Sequence, residues 1–367
     1  GEVLARLGTP DLRSGGGGIE ERGFAAVRYG GRLATNAYYR VYGKYADHDE
    51  FTLTDGQGVA DDWRTAQGGF RADWESSGAN RFTLQGDYYE GRLGAKLYVH
   101  SLAPPSLVAK AFRSKVEGAN LVSRWNHEFS DESEMSAQVY YDRTDRGFGI
   151  GREIRDTVDL DAQHRFHPGE RHEVVWGVGY RYSVDEITQS PDFQMRDPSV
   201  GLNLFSGFVQ DEFALVPDRL RLTAGTKVEH NDFTGFEVQP SVRVAWTPQE
   251  RQTFWGAISR AVRTPSRAER DFGIYSDPRP LLPPLPLPVL SPGVGNPNFG
   301  SEDLLAYEIG YRVKVHPRLS LDGAVFYNQY DHGQSVTGLP PELRISPGPT
   351  PTPYLVLPMT FSNDFDG

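Results

Sequence analysis

Segments in which apolar and polar residues alternate strictly constrain the fold of this chain more than any other feature. Between residues 220 and 229, for example, Leu220, Leu222 and Ala224 alternate with Arg221 and Thr223. Successive side chains of a β-strand point to opposite faces of its sheet, so a period of two predicts a strand with one apolar and one polar face. Such segments recur along most of the chain without a sustained 3.6-residue period, which predicts an all-β fold.

The length of these segments favours a membrane-spanning sheet. They run to about 9–14 residues, whereas strands of soluble sheets average about 5–6 and a tilted transmembrane strand needs about 9–11. No run of about 18 apolar residues is present to form a transmembrane helix. An apolar fraction of 38% still suits a membrane protein, because a transmembrane strand alternates lipid-facing and lumen-facing residues. Tyr29, Tyr45, Trp246 and Trp255 lie near strand ends, where a barrel carries its aromatic girdle.

The links between the predicted strands alternate between short and long. We predict short turns at residues 30–31, 76–79, 130–132, 167–170, 216–218, 247–250 and 316–318. We predict longer loops at residues 46–63, 91–117, 145–151, 185–199, 263–303 and from 331 onward, with a short link near residue 234 as the exception. Short turns on one rim and long loops on the other are typical of an outer-membrane barrel with its long loops outside. The sequence therefore predicts an antiparallel up-and-down transmembrane β-barrel with about fifteen strands in this chain.

Composition argues against several other classes of protein. Cysteine is absent, which excludes thiolate metal sites, thiol nucleophiles and a disulfide framework. The formal net charge of −11 argues against a nucleic-acid partner. A soluble β-sandwich, propeller or solenoid is the alternative fold, and the strand length and the asymmetry of the links argue against it.

Several motifs, taken together in their order and spacing, resemble the barrel of TonB-dependent outer-membrane receptors. They occupy residues 28–31, 39–45, 208–213, 259–266, 296–302, 307–312 and 326–330. In that family a barrel of 22 strands surrounds an N-terminal plug, which carries the box that engages the energy-transducing partner. The resemblance implies that residues 1–367 form part of the barrel, about 15 strands of the expected 22. We expect this part to be unclosed, with the plug absent and the remaining strands following.

The same resemblance implies a function in the outer membrane of a Gram-negative bacterium. The family captures and imports scarce nutrients, most often a ferric siderophore, less often cobalamin, haem or a carbohydrate. The implied partners are the ligand complex, the plug of the full-length chain, TonB through the missing N-terminal region, and outer-membrane lipid. No cofactor or metal site is expected. A passive porin-like channel and an outer-membrane barrel hydrolase are the alternatives, although no Gly-x-Ser-x-Gly, His-Glu-x-x-His or phosphate-loop motif is found.

Candidate ligand-binding residues lie at the predicted outer rim and in the longest loops. They are Arg260, Arg263, Phe272, Tyr275, Phe299 and Tyr354. A guanidinium pairs well with carboxylates or catecholates of an anionic chelate, and an aromatic ring can stack on a ligand. The alternative is structural: the arginines fix the strand end through carboxylates of the plug or a neighbouring strand, and the aromatics pack the loops together. No catalytic residue is predicted. Charges on the polar face would contact the plug or line the path, and the alternative, which we favour for any single residue, is that they wet a polar interior or pair across strands. They include Arg221, Lys227, Glu229, Glu237, Arg243, Glu308 and Arg312.

Overall fold

The computed structural model describes residues 2–8, 22–53, 56–102, 105–274, 279–280, 288–345, 351 and 353–367. The strands are β1 (Glu2–Gly8), β2 (Arg22–Ala34), β3 (Ala37–His48), β4 (Trp63–Ser77), β5 (Asn80–Leu102), β6 (Pro105–Ser130), β7 (Ser133–Gly147), β8 (Arg152–Phe166), β9 (His172–Thr188), β10 (Phe193–Met195), β11 (Ser199–Val216), β12 (Leu220–Asn231), β13 (Gly235–Gln249), β14 (Gln252–Arg263), β15 (Phe272–Ile274), β16 (Arg279–Pro280), β17 (Pro288–Leu290), β18 (Gly293–Val294), β19 (Glu302–His316), β20 (Leu319–Asp331), β21 (Gly333–Gly338), β22 (Glu342–Ile345), β23 (Pro353–Val356) and β24 (Met359–Phe365). A single helical turn, α1 (Arg267–Asp271), follows β14.

Fifteen of these strands form one large antiparallel sheet. Its order is β1 to β9, then β11 to β14, then β19 and β20, so each strand pairs with the next strand of the sheet along the chain. The first and last strands, β1 and β20, stand at its two ends, and the sheet is not closed. The predicted all-β, up-and-down arrangement and the strand number are confirmed. No helix in the described part of the chain is both long and apolar enough to cross a membrane.

The two faces of the sheet differ in the way that the alternation predicts. One face, here called the apolar face, exposes large apolar side chains, for example Val178 at 53% and Ile309 at 66%. The opposite, polar face carries hydrogen-bonded charges, for example Arg181 with Asp159 at 2.8 Å. Aromatic pairs border the apolar face near the short turns. They include Trp74 with Phe82, Trp246 with Phe254, and Phe254 with Tyr311, at ring-centroid distances of 5.4, 5.5 and 4.5 Å.

Trp255 does not belong to this aromatic border, contrary to the expectation from sequence. It lies opposite Ala245 and Gly310 in the register, on the polar face. A Cβ at Gly310 would lie 2.3 Å from the indole ring, so this glycine makes room for Trp255. The sequence predicted correctly that Trp255 lies near the end of a strand, but not which face of the sheet it occupies.

The short turns follow the prediction with one shift. The short-turn rim carries turns at residues 35–36, 78–79, 131–132, 167–171, 217–219, 250–251 and 317–318. Gly30 and Gly31, predicted as the first turn, lie inside β2 and pair with Arg40 and Tyr39. A Cβ at Gly31 would lie 3.1 Å from the Tyr39 ring. The glycine pair therefore accommodates a cross-strand aromatic ring, and the turn is formed by residues 35–36 instead.

Four regions predicted as loops contain strands: residues 91–117, 185–199, 263–303 and the tail after 331. Residues 91–117 continue β5 and β6 as one hairpin, with Gly94 opposite Arg113 and Lys96 opposite Ala111. Along β5 the period of two continues in this part, but its apolar residues, such as Leu93 and Leu97, lie on the face opposite that of Leu84. The alternation is therefore out of phase with that of the membrane-spanning part. The longest loop and the tail after residue 331 contain β15 to β18 and β21 to β24, which build a five-stranded and a four-stranded sheet together with β10.

Candidate functional site

The long-loop rim carries a structured assembly, which we call the loop cluster. It comprises α1 and the two small sheets, one of order β10-β15-β18-β24-β21 and the other of order β16-β17-β23-β22. Its segments come from three links that are distant in sequence, and β18 pairs in parallel with β24. The loop cluster therefore joins the loops that follow β9, β14 and β20 into one unit at this rim.

The helical turn α1 begins with a capping box. The backbone N–H of Ser266 donates to the Glu269 carboxylate at 2.7 Å, and the backbone N–H of Glu269 donates to the Ser266 hydroxyl at 3.3 Å. Such a box satisfies two backbone donors that a helix start leaves open. Arg263 donates to both Glu269 oxygens, at 2.8 and 3.1 Å. Burial opposes ionisation of Glu269, yet the hydrogen bonds from Arg263 and Ser266 outweigh it and lower the pKa of its carboxyl.

Arg267 is the buried centre of the loop cluster. Its side chain is 7% exposed, and it donates to Asp185, which is 4% exposed, at the end of β9. It also donates to the backbone carbonyl of Asp197 and reaches Asp271 at 3.4 Å. Burial lowers the pKa of Arg267, but a guanidinium stays protonated at any physiological pH. The ion pair thus ties α1 to β9, and the hydrogen bond to the Asp197 carbonyl ties it to the loop after β9.

Arg260 and Arg263 lie at the rim as predicted, and they occupy opposite faces of β14. Arg260 donates to Asp303 and to the backbone carbonyl of Val238. Arg263 donates to Glu302 and Glu269. Both guanidinium groups therefore pair with carboxylates of β19 or α1. This arrangement favours the structural alternative, in which they fix the end of β14.

The aromatic candidates differ in their accessibility. Phe299 is 0% exposed, and its ring centroid lies 6.1 Å from that of Phe361. Phe272 is half-buried and stacks on the same Phe361 at 6.0 Å. Tyr354 is half-buried on β23, opposite Arg344. Tyr275 lies outside the described residues, and ligand contact stays a prediction for all the candidates.

The charges predicted on the polar face pair mostly with neighbouring residues of the sheet. Lys227 contacts Glu229 at 2.7 Å, and Arg312 contacts Asp322 on β20 at 2.5 Å. Arg221 donates to Glu212 on β11 at 3.2 Å. Glu237 accepts a hydrogen bond from Ser301 instead. In the described part of the chain, no three His, Asp or Glu side chains form a group that could hold a metal ion.

Sequence reasoning missed two ion pairs of the loop cluster, that of Arg267 with Asp185 and that of Arg263 with Glu269. One signal for the role of Glu269 was present: Ser266 followed three residues later by Glu269 is the capping-box pattern. The partner Asp185 had no such signal, since it lies 82 residues away in sequence. A pair of this kind is visible only once the loops are placed together.

The lowered pKa of Glu269 predicts an acid-sensitive loop cluster. Because the folded pKa lies below the unfolded value of about 4.3, the ionised carboxylate stabilises the fold above that pH. The contribution is lost as the pH falls through the folded pKa. We expect hydrogen exchange of the α1 amides, corrected for intrinsic rates, to accelerate in this acid range. Glu269→Gln should be less protected at neutral pH and should lack this acid step. An identical pH profile in the variant would contradict the assignment.

The main sheet and its rims define a class of protein. An antiparallel meander of 15 strands, with one apolar face, short turns on one rim and structured loops on the other, is the wall of an outer-membrane-type β-barrel. The chain belongs to the TonB-dependent receptor family, because the family model described as "TonB dependent receptor-like, beta-barrel" matches residues 9–351. The resemblance noted in the sequence is confirmed.

Solved structures share the fold at low sequence identity. A mutant of the ferric enterobactin receptor PfeA from Pseudomonas aeruginosa is 17% identical with a TM-score of 0.71, over 99% of this chain and 57% of that one. The siderophore receptor PirA from Acinetobacter baumannii is 13% identical with a TM-score of 0.72, over 99% and 58%. The outer membrane transporter YddB from Escherichia coli is 9% identical with a TM-score of 0.64, over 94% and 50%. A comparison with curated proteins finds no match.

These comparisons also bear on the extent and the class of the chain. It spans somewhat over half the length of the solved receptors PfeA and PirA. The family and the similar structures are transport receptors and not enzymes, so the comparisons do not support the hydrolase alternative.

Proposed function

We propose that this chain forms part of the barrel of an outer-membrane receptor that captures a ferric siderophore and imports it with energy from the TonB complex. Membership of the TonB-dependent receptor family carries the proposal. Similar structures include siderophore receptors, one of them a PfeA mutant in complex with enterobactin. The location in the outer membrane of a Gram-negative bacterium is part of the same proposal, supported by the exposed apolar face of the main sheet.

The geometry supports a division of labour between the wall and the loop cluster. The polar face carries fixed charge pairs, such as Arg181 with Asp159, and would surround a plug supplied by the full-length protein. The loop cluster would present the capture surface on the outside. It is held to the wall by ion pairs of Arg263 and Arg267, so its surface is largely preformed. A preformed surface loses less conformational entropy on binding than a mobile loop does.

Uptake into whole cells tests the proposal. Iron-starved cells that express the protein as its gene encodes it should accumulate a radiolabelled ferric catecholate siderophore, and deletion of the gene should abolish this. Dissipating the proton gradient or deleting tonB should stop accumulation without stopping surface binding. Accumulation that persists without the gradient would instead indicate the passive porin-like channel. Absence of both binding and uptake for every siderophore class offered would refute the proposal.

Tyr354 is the candidate best placed to contact a ligand among the described aromatics. Phe299 is fully buried and Phe272 stacks on Phe361, whereas the half-buried Tyr354 lies on a small sheet of the loop cluster. We expect Tyr354→Ala to weaken siderophore binding about two- to twelvefold, since a ring–ring contact is worth about 0.5–1.5 kcal/mol. Titration of cells whose uptake is blocked by an uncoupler measures this. Leu343→Ala on the neighbouring strand β22 removes an exposed apolar side chain and is the matched control. Equal affinities for both variants and the wild type would remove Tyr354 from the site.

A further inference from the structure

The apolar face of the main sheet bears a group of cations where its apolar part ends towards the long loops. Arg64 on β4, Arg92 on β5 and Lys115 on β6 lie directly opposite one another in the register. Arg113 lies two residues before Lys115, on the same face of β6. Alternation along β4 places Arg64 on the face of Phe70, which is 40% exposed. We call Arg64, Arg92, Arg113 and Lys115 the rim patch.

The rim patch lines a cavity of about 570 Å³ together with Tyr45 and Glu90. Lys115 is paired with Glu117 at 2.6 Å. Arg113 approaches Asp62 at 3.5 Å and its side chain stays 80% exposed. The guanidinium groups of Arg64 and Arg92 make no hydrogen bond or ion pair with any described residue.

This arrangement is costly in the protein alone. Like charges directly opposite each other on one face of a sheet destabilise it, and Arg64, Arg92 and Lys115 form such a row. Asp47 on β3 lies opposite Arg64 at the edge of this row, but no hydrogen bond joins their side chains among the described contacts. An anion placed between Arg64 and Arg92 would turn the repulsion into two charge-assisted contacts.

The level of the rim patch suggests which anion. Along β5 the same face runs from Arg92 through Glu90 to Tyr88, which is 48% exposed, and on to Leu84, which is 41% exposed. Tyr45 on β3 is 44% exposed. Exposed tyrosines at the end of an apolar face are typical of the boundary between lipid tails and headgroups. The rim patch lies one step beyond that boundary, at the height of lipid phosphates.

We propose that the rim patch binds the phosphate groups of a phosphorylated lipid in the leaflet on the long-loop side. The inference rests on the membrane location that belongs to the proposed function. A guanidinium matches a phosphate with two parallel hydrogen bonds, and Arg64 and Arg92, which have no partner among the described residues, supply two such groups side by side. The patch faces away from the polar side of the sheet, so its ligand is distinct from any cargo that passes through the barrel.

Lipid binding to the purified protein tests the inference. The protein as its gene encodes it is delipidated in a non-ionic detergent and titrated with diphosphorylated lipid A, with bound lipid counted by native mass spectrometry. Each cation near an anionic headgroup contributes about 1 kcal/mol, so we expect Arg64→Gln/Arg92→Gln to lower the affinity about tenfold or more. Arg64→Lys/Arg92→Lys keeps the charges without the paired hydrogen bonds and should give an intermediate loss.

The control variant Arg171→Gln/Arg318→Gln removes the same charge at the short-turn rim, where both residues are exposed, and should bind as the wild type does. Lipid A without its phosphates should bind the wild type no more tightly than diphosphorylated lipid A binds the Gln variant, which still carries Arg113 and Lys115. Inorganic phosphate should displace the lipid only at far higher concentration. Equal binding by both Gln variants, equal binding of the dephosphorylated lipid, or displacement by equimolar phosphate would each overturn the inference.

The outcome is separable from that of the proposed function. Siderophore uptake by the Gln variant without lipid binding by the wild type would overturn the lipid site alone. Lipid binding by a protein that transports no siderophore would overturn the proposed cargo alone. Absence of the protein from the outer-membrane fraction would overturn both.

Discussion

Replacement of Arg267 by methionine is expected to loosen α1 and the segment after β9 without unfolding the main sheet. The change leaves the Asp185 carboxylate, 4% exposed, without its main counter-ion, and removal of one partner of a buried ion pair costs about 3–5 kcal/mol. Arg155 approaches the same carboxylate at 3.6 Å and should moderate the loss to the lower end of that range. Hydrogen exchange of the amides in residues 266–271 should therefore accelerate about a hundredfold.

Two further variants distinguish the ion pair from lost packing. The double variant Arg267→Met/Asp185→Asn also removes the buried carboxylate that has lost its counter-ion. We expect it to recover part of the lost protection against hydrogen exchange. Arg251→Met alters an exposed arginine in the turn after β13 and should leave exchange in α1 unchanged. Exchange in Arg267→Met at the wild-type rate would show that the pair with Asp185 contributes little to the loop cluster.

The membrane-spanning part of the fold is predictable because one physical constraint acts on every strand there. A strand with one face against an apolar environment must alternate apolar and polar residues. The sequence of a segment such as β12 therefore indicates both the length of the strand and which residues lie on each face. The constraint ends where the apolar face ends. In the outer half of the β5–β6 hairpin, with pairs such as Lys96 and Ala111, the alternation along β5 continues but its apolar residues, such as Leu93 and Leu97, lie on the other face of the sheet. The change of face interrupts the pattern expected of a membrane-spanning strand, and the sequence prediction placed a loop there.

The rim arginines show how much more the alternation could have predicted. Residues three apart on a strand point to opposite faces, so Arg260 and Arg263 cannot act as one pair from the same side. The adjacent carboxylates Glu302 and Asp303 on β19 likewise point to opposite faces, and each pairs with the arginine on its own side. Alternation alone prevents two neighbouring acids of a strand from acting as one acid–base couple. The sequence did not predict that Glu302 and Asp303 close the end of β14 from both faces.

The interior of the loop cluster lay beyond sequence reasoning for a different reason. Its contacts join links that are distant in the chain, such as Asn296 with the carbonyl of Phe361 at 2.8 Å. Their strands are only two to seven residues long, and three of them, β16, β17 and β23, contain a proline, so neither periodicity nor propensity identifies them. Only the placement of the rims by the main sheet brings these segments together.

Replacement of Phe299 by alanine is expected to be the most damaging single change in the loop cluster. The Phe299 side chain is fully buried, packs near Phe361 and lies under the Arg263 guanidinium at 6.0 Å from its ring centroid. Truncation of a buried phenylalanine costs about 3–5 kcal/mol. Its backbone carbonyl also accepts from Arg270 at 2.8 Å, so the loss should spread to α1. Thermal unfolding of the loops, followed by hydrogen exchange in residues 296–301 and 359–365, measures this effect without ligand.

The same variant decides between the two roles considered for Phe299. A ring that packs the loops destabilises the ligand-free protein when it is removed, and Phe299→Leu should retain most of the stability because it fills much of the same volume. A ring that stacks on the siderophore would instead leave ligand-free exchange unchanged and lower the affinity in both variants. Leu343→Ala, which removes a side chain 67% exposed on β22, should change neither measurement. Because Phe299 has no exposed surface in the ligand-free fold, we expect the first pattern. Direct stacking would require the loop cluster to open before it binds.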